Sequence, residues 1–457
     1  MTTFYKHLKN RIPFRKTFLA VFFLFALVVQ AQETKPKQSY SFSLDEAINH
    51  ALAHNYSAIN AGRDIESANQ RKRETTAAGL PQISGSVDYQ NFLKQQITIA
   101  DFNKDGINEE FVFGTKQNMN ARLTLSQLLF DGSYIVALQA AKTYLKYYEN
   151  AKEKTNVDVR QMVINSYGNV LLAEESIAIL ENNKTLLSKT LSDTRETYKN
   201  GLIEEENVEQ LQITLASVNS NLNNTHRLLD VAYKNLKFVL GIDIDDDLKL
   251  TDKLEKLTNA NLGMAFSQDT FTLSNNVNYK MAQNFQEQRK LEYKLQRAKA
   301  LPSLSAFVNY GATANSNDFN FLSNNQKWFD SSLLGVNLNV PLFSSFGRAA
   351  KTQQAKIALD QAKTKLTEAE QQLKLQYENA KSEYEFSVEE YTTAKSNLNL
   401  AERIERKQQT KFTEGLSTSF DFNEAQRQLY SAQQNYLQSM INIINKKAGL
   451  ESVINNK

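Results

Sequence analysis

The sequence predicts a mainly α-helical protein with a small β portion, built from long coiled-coil helices and four strands. The first observation is the scarcity of helix breakers, because the 457 residues include only five prolines and 15 glycines. Proline breaks helix interiors and glycine marks turns, so few of them indicate a few very long elements. The second is a spacing of about 3.5 residues between apolar positions, the coiled-coil period. The third is period-two alternation in four short segments.

The N-terminus, residues 1–31, has the composition of a secretory signal peptide. Five basic residues and no acidic residue precede an apolar run from Leu19 to Val29. This run is shorter than the ~20 residues that cross a bilayer, and small residues before Ala31 fit cleavage after that residue. Loss of the five charges changes the formal net charge from +3 to −2. The basic isoelectric point therefore gives no reason to expect nucleic-acid binding.

The rest of the chain contains the same pattern twice. Three landmarks recur in the same order, at spacings of 213 to 221 residues. They are Leu80-Pro81 and Leu301-Pro302, Phe130 and Phe343, and Gly201 and Gly415. Such order predicts a tandem duplication. The predicted segments are a tail over 32–41, a first repeat over 42–241, a linker or equatorial region over 242–271, and a second repeat over 272–457.

Each repeat begins with a helix and then reaches a Leu-Pro pair that introduces two strands. Ser43 and Glu46 have the spacing of a capping box at the start of the first helix. The alternating segments are centred on 83–89, 119–125, 304–310 and 334–340. Their polar face is rich in serine, asparagine and glutamine, as in a wet barrel lumen, yet a soluble antiparallel sheet alternates in the same way. Four strands cannot close a membrane barrel, so either the sheet is small and soluble or several chains pool their strands.

The loop between the first two strands resembles the beginning of a calcium loop. Asp101, Asn103 and Asp105 precede Gly106 with the spacing D-x-N-x-D-G. Val112 stands where a calcium loop carries its bidentate glutamate. A polar, exposed hairpin loop is therefore the favoured interpretation, with calcium binding as the alternative.

Two long helices follow the strand pairs, from about 131 to 200 and from about 344 to 414. At 1.5 Å per residue, 70 helical residues extend roughly 105 Å. Gly201 and Gly415 come next and predict the tips of two helical hairpins. The returning helices are about half as long, and the first helix of each repeat, over about 43–79 and 272–300, can supply the missing length.

These features together resemble the outer-membrane factor family, the TolC-like channels of export systems. The resemblance covers about 40–455 and depends on the signal peptide, the duplication, the Leu-Pro strand entries, the Leu-Phe-Asp and Pro-Leu-Phe strand exits, and the tip glycines. It implies a homotrimer in the outer membrane, where three chains pool their strands into a 12-stranded barrel and their helices form a periplasmic tunnel. It also implies partners at the tips, a periplasmic adaptor and an inner-membrane transporter.

The resemblance further implies acidic residues that close the periplasmic end just past the second tip. Counted from Gly415, they are Asp421 and Glu424, which are three apart and share a helix face. The matching positions in the first repeat are Asn207 and Gln210. A ring of carboxylates around a pore attracts cations, whereas the alternative for each residue is a solvated helix face.

One position departs from the family pattern. Ser417 stands where family members can carry an arginine that helps to hold the channel closed. The resemblance therefore does not specify what holds this channel closed.

Other classes of protein fit less well. The chain has no cysteine, and it carries no nucleotide loop, nucleophile elbow or zinc-protease motif, so neither an enzyme nor a cofactor is predicted. A periplasmic adaptor would have one hairpin with flanking β-rich domains, and a secreted coiled-coil scaffold would not need four amphipathic strands. The exported substrate is not encoded in any recognisable motif.

Overall fold

The computed structural model describes residues 37–100, 106, 109–262 and 271–454. The predicted signal peptide and the calcium-like residues Asp101, Asn103 and Asp105 lie outside these residues. Eight α-helices and eight strands occur within them. The elements of the first half are β1 (Ser39–Phe42), α1 (Leu44–His54), α2 (Tyr56–Ala77), β2 (Gln82–Asn91), β3 (Ile97–Ala100), β4 (Glu109–Val112), β5 (Gln117–Asp131), α3 (Gly132–Lys199) and α4 (Glu205–Leu240). Those of the second half are β6 (Asp247–Leu250), α5 (Leu254–Leu262), α6 (Val277–Ala298), β7 (Ser303–Ser316), β8 (Trp328–Asn339), α7 (Gly347–Thr413) and α8 (Ser419–Ile454).

The two halves build the same helical hairpin. The outgoing helices α3 and α7 have 68 and 67 residues, and the returning helices α4 and α8 have 36 each. The predicted long helices are therefore confirmed to within a few residues. Gly201 and Gly415 follow them with φ angles of 72° and 71°. In both turns the glycine N–H and the next N–H bond back to the helix, the arrangement that ends a helix with a left-handed residue.

Short helices supply the length that the returning helices lack. Helix α2 packs on α3, while α6 packs on both α3 and α7. Helix α1 begins with the predicted capping box, in which the Ser43 N–H donates to Glu46 Oε2 at 2.8 Å and the Glu46 N–H donates to Ser43 Oγ at 3.4 Å. None of the described helices is long and apolar enough to cross a bilayer.

The four predicted strands form one antiparallel sheet in the order β2-β5-β7-β8. Strands β5 and β7 join the two halves in register from Gln117 opposite Ser316 to Asp131 opposite Ser303, with a bulge at Leu128 to Phe130. Large apolar side chains stand exposed along the outer strands. They include Ile83 and Val87 on β2 and Leu334, Val336 and Leu338 on β8. An apolar surface of this kind marks contact with lipid or with another chain.

Two further strand pairs were not predicted. Strand β1 pairs in parallel with β6, 208 residues away, and β3 pairs with β4 in the loop between β2 and β5. Each of these strands has four residues, too few for a periodic pattern to be visible.

The largest hydrophobic core lies where β1, β6, α1 and α5 surround the helices. Tyr167 of α3 is fully buried there, and its hydroxyl donates to the Phe42 carbonyl at 3.0 Å and lies 3.2 Å from Asp252 Oδ2. Burial raises the pKa of this phenol above its usual value. The neutral hydroxyl can therefore act as a donor that fixes β1 and the segment after β6 to the long helix.

Candidate gate at the hairpin tips

The two hairpins of one chain are joined near their tips by hydrogen bonds between uncharged side chains. Gln210, one of the predicted gate residues, lies in the second turn of α4. Its Oε1 accepts from Ser419 Oγ at 2.8 Å and from Asn423 Nδ2 at 3.4 Å. Thr214 Oγ1 donates to Asn423 Oδ1 at 3.1 Å one turn further along. The structure thus brings Gln210 to the beginning of α8.

Asp421 lies in the first turn of α8 and completes a capping box with Thr418. Its carboxylate accepts from Thr418 Oγ1 at 2.7 Å and from the Thr418 N–H at 3.2 Å. The Asp421 N–H returns a bond to Thr418 Oγ1. The hydrogen bond from the Thr418 hydroxyl is the largest cause that lowers the pKa of the Asp421 carboxyl group, and the bond from the Thr418 N–H is the next. The Asp421 side chain is exposed. Asp421 is therefore ionised at neutral pH and held at the positive end of the helix.

Glu424 stands one turn later and forms an ion pair with Arg427. Both side chains are exposed, and exposed pairs of this spacing contribute little to stability because solvent screens them. Arg427 also lines a groove of about 590 Å³ between the hairpins, together with Gln210 and Asn423. The hydrogen bonds of Asp421 with Thr418 and the ion pair of Glu424 with Arg427 lie within α8 and its cap. The negative charge of Glu424 is thus partly balanced within its own helix.

Asn207, the fourth predicted residue, has a local role in this chain. Its Nδ2 donates to the Glu204 carbonyl at 3.2 Å, at the start of α4. Glu206 in the same turn accepts from Gln210 Nε2 at 2.9 Å. The first turn of α4 therefore adds carboxylates beside Gln210.

At the position of the expected latch arginine, the Ser417 hydroxyl oxygen is buried and has no hydrogen-bond partner among the described residues. Three residues that sequence reasoning missed join the tips instead. They are Ser419 and Asn423, which bond Gln210, and Phe422, which is fully buried. The Phe422 ring stacks on Phe412 with 5.3 Å between centroids. The sequence signal that could have pointed to Phe422 was a large apolar residue between two polar ones, Asp421 and Asn423.

Both tips present the same apolar side chain to solvent. Leu202 and Leu416 each follow a tip glycine and are about three-quarters exposed. In the part of the chain that the structure describes, no three histidine or carboxylate side chains converge as a metal site.

Two helical hairpins and an exposed, apolar-faced sheet define the architecture of the chain. The family model described as outer membrane efflux protein matches residues 47–242 and 272–456. The chain belongs to this outer membrane efflux protein family.

Known proteins show how far the likeness extends. The TolC outer membrane protein of Vibrio cholerae is 22% identical over 323 residues, which is 69% of this chain and 68% of TolC. The CmeC outer membrane channel of Campylobacter jejuni superposes with a TM-score of 0.70 at 17% identity, over 93% of this chain and 90% of CmeC. The outer membrane protein VceC of Vibrio cholerae gives 0.69 at 16% identity, over 90% of this chain and 95% of VceC. The protein is an outer-membrane efflux channel with a helical portion in the periplasm.

Proposed function

We propose that three copies of this chain form the exit duct of a tripartite efflux or type I secretion system. The observation that carries the proposal is the four-stranded sheet with two open edges. Neither β2 nor β8 pairs with another strand on its outer side within the described residues. An open edge in lipid leaves backbone groups without partners, and closure into a barrel satisfies them. Three chains would supply 12 strands, more than the minimum of about eight.

The helices support the same assembly. Exposed apolar side chains follow one face of α7 and one face of α4, although coiled-coil helices normally bury such residues. On α7 they are Leu375, Phe386, Leu400 and Ile404, and on α4 they are Ile213, Leu228, Val231 and Phe238. The second hairpin of one copy can cover the first hairpin of the next.

Cross-linking between the open edges should stop at three chains. The natural chain has no cysteine, so Val87→Cys on β2 can be combined in turn with Ser332→Cys, Leu334→Cys or Val336→Cys on β8. Because β2 of one copy would lie beside β8 of the next, one of these pairs should give an oxidised ladder that ends at the trimer on a denaturing gel.

The matched control combines Val87→Cys with Ala121→Cys, since these residues are directly opposite within one chain. This pair should oxidise without any ladder. A ladder that ends at two chains, or that continues past three, would contradict the trimer.

We also propose that Asp421, Glu424, Asn207 and Gln210 close the periplasmic end. In a trimer, three copies of the ionised Asp421 would surround the axis, and Gln210 would hold the two hairpins of each copy together through Ser419 and Asn423. A ring of carboxylates raises the local concentration of cations and can bind a divalent ion. The hydrogen bonds of Gln210 with the uncharged side chains of Ser419 and Asn423 would hold the closed tips together, as the latch arginine can in other family members.

Replacing the two carboxylates should lower the preference of the reconstituted channel for cations. Asp421→Asn with Glu424→Gln keeps the side-chain shapes, so the cap with Thr418 is disturbed less than by alanine. We expect a reversal potential closer to zero in a salt gradient and weaker block by divalent cations, because six negative charges leave the constriction. Planar-bilayer recording measures both.

Glu368→Gln with Glu378→Gln removes the same charge from exposed positions on α7, far from the tip, and should leave selectivity unchanged. Equal effects of the two double variants would refute the assignment of the gate residues.

The tips would contact the energy-supplying partners. Gly201 and Gly415 make the turns, and the exposed Leu202 and Leu416 provide an apolar anchor at matching places in both hairpins. The anchors would suit a periplasmic adaptor and, through it, an inner-membrane transporter. These partners, and no group of this chain, would select the cargo and drive its export.

A further inference from the structure

A polar cluster is buried inside the second hairpin, about three turns from its tip. Gln426 Nε2 of α8 donates to Glu405 Oε1 of α7 at 2.6 Å. Gln426 is completely buried, and only 7% of Glu405 is exposed. Glutamate is rarely buried to this degree unless an opposite charge pairs with it, yet the contact made here is with a neutral amide.

The hydrogen bonds of this cluster are incomplete when Glu405 is ionised. Gln426 Oε1 and the Tyr430 hydroxyl are buried and have no partner in the part of the chain that the structure describes. An ionised carboxylate can only accept, so it has nothing to offer Gln426 Oε1. A neutral carboxyl group carries the O–H donor that the amide lacks. Acid and amide can then form two parallel hydrogen bonds, one in each direction.

The surroundings favour the neutral form. Burial raises the pKa of the Glu405 carboxyl, and the charge of Arg406, the next residue on α7, opposes this in part. The titratable group that faces Glu405 from α8 is Tyr430, whose own pKa is raised by burial and by the charge of Glu405. A small apolar cluster of Ala401, Leu429 and Ala432 lies next to these residues on the two helices.

We propose that Glu405 and Gln426 form a proton-linked clasp that tightens the second hairpin near its tip. One proton from solvent binds Glu405 and completes the second hydrogen bond to Gln426, and no other bond is made or broken. The consequence for conductance, a tip that opens less readily in acid, rests on the proposed closure of the channel at the hairpin tips. The clasp itself depends only on the packing of α7 against α8.

The direction of the pH effect follows from the raised pKa. A carboxyl group with a higher pKa in the folded state binds its proton more tightly there than in the open state. Its stabilising contribution is complete below the ordinary glutamate pKa, about 4.3. The contribution is lost as the pH rises through the folded-state value. The hairpin should therefore be tighter at acidic pH than at neutral pH.

Hydrogen exchange of the purified full-length protein tests this directly. Peptides over 398–432 are followed from pH 5 to pH 8, after correction for the intrinsic pH dependence of exchange. In the natural protein the local opening constant should fall on acidification, by up to about tenfold for each unit of pKa shift. In Glu405→Gln, whose amide supplies both donor and acceptor, the opening constant should be low at every pH.

Glu402→Gln is the matched control, because Glu402 is exposed one turn earlier on α7 and should keep the natural pH dependence. A second readout uses the natural protein and so does not depend on the stability of a variant. The infrared carbonyl band of a neutral carboxyl group should appear on acidification at a higher pH than the band of the exposed glutamates, because Glu405 takes up its proton first. Equal pH dependence of exchange in the natural protein and in Glu405→Gln would overturn the clasp. If exchange behaves as expected while closed-state conductance is independent of pH, the clasp stands and its coupling to the opening of the tip is refuted. The proposed gate residues are judged separately, by the selectivity of the Asp421→Asn, Glu424→Gln variant.

Discussion

Replacing Gly241 with alanine should destabilise the protein by about 2–5 kcal/mol, whereas the same change at Gly201 should cost about 1–2 kcal/mol. Both glycines end a helix of the first hairpin, with φ angles of 76° and 72°. In both, the glycine N–H and the following N–H bond back to the helix. The intrinsic cost of a left-handed alanine is therefore the same at the two positions.

The difference comes from what the added methyl group would meet. At Gly241 an ideal Cβ would lie 2.1 Å from the His54 carbonyl oxygen and 3.1 Å from the Asn55 nitrogen. At Gly201 no described atom lies within 4 Å of the same Cβ. The close approach lets Asn55 Nδ2 donate to the Val239 carbonyl at 2.7 Å. An alanine would separate the junction of α1 and α2 from the end of α4.

Denaturant titration of the detergent-solubilised variants, followed by helical circular dichroism, measures the two costs. Gly201→Ala serves as the control because its alanine would have the same left-handed backbone strain but would not collide with a neighbouring atom. Similar transition midpoints for the two variants would show that the backbone at His54 can move aside and would contradict this account.

The second large effect should come from Phe422→Ala, at about 3–5 kcal/mol. Phe422 is fully buried and belongs to a core that also contains Leu187 of α3 and Leu211 of α4. Its ring stacks on Phe412 of α7, so the core to which it belongs joins helices of both hairpins. Truncation would leave a cavity between the two hairpins beside the bonds of Gln210.

Loss of this anchor should loosen the tips before the rest of the protein. We expect faster hydrogen exchange over 405–430 and a higher closed-state conductance in planar bilayers. Phe420→Ala is the control, since Phe420 lies two residues away in the same helix turn and its side chain is mostly exposed. Exchange and conductance that match in the two variants would mean that Phe422 does not hold the hairpins together.

The sequence was most informative where the signal lies in consecutive residues. Long helices could be located from the absence of proline and from the tip glycines, and α3 and α7 begin and end within a few residues of the expected positions. The four longer strands were visible through alternation, but the four-residue strands β1, β3, β4 and β6 were not. The pairing of β1 with β6 joins residues 208 positions apart, and four residues are too few to show a period.

The residues proposed for the gate came from the family resemblance. It implied Asp421 and Glu424 by their distance from Gly415, but their charge state and contacts could not be foreseen, because they depend on a cap with Thr418 and on Arg427. The hydrogen bonds by which Gln210 joins the two hairpins depend on Ser419 and Asn423 in the other hairpin. Those residues have no distinctive spacing from Gln210 in the sequence.

The sequence by itself therefore determined the helical hairpins, the amphipathic strands and the family to which the chain belongs, since periodicity and breaker positions act locally along the backbone. Only the tertiary structure decided how the two hairpins are joined, which strand edges remain open and which polar groups are buried without charge partners. Gln210 with Ser419, and Glu405 with Gln426, meet because two long helices pack side by side. The physical reason is that packing brings together side chains whose separation along the chain carries no pattern.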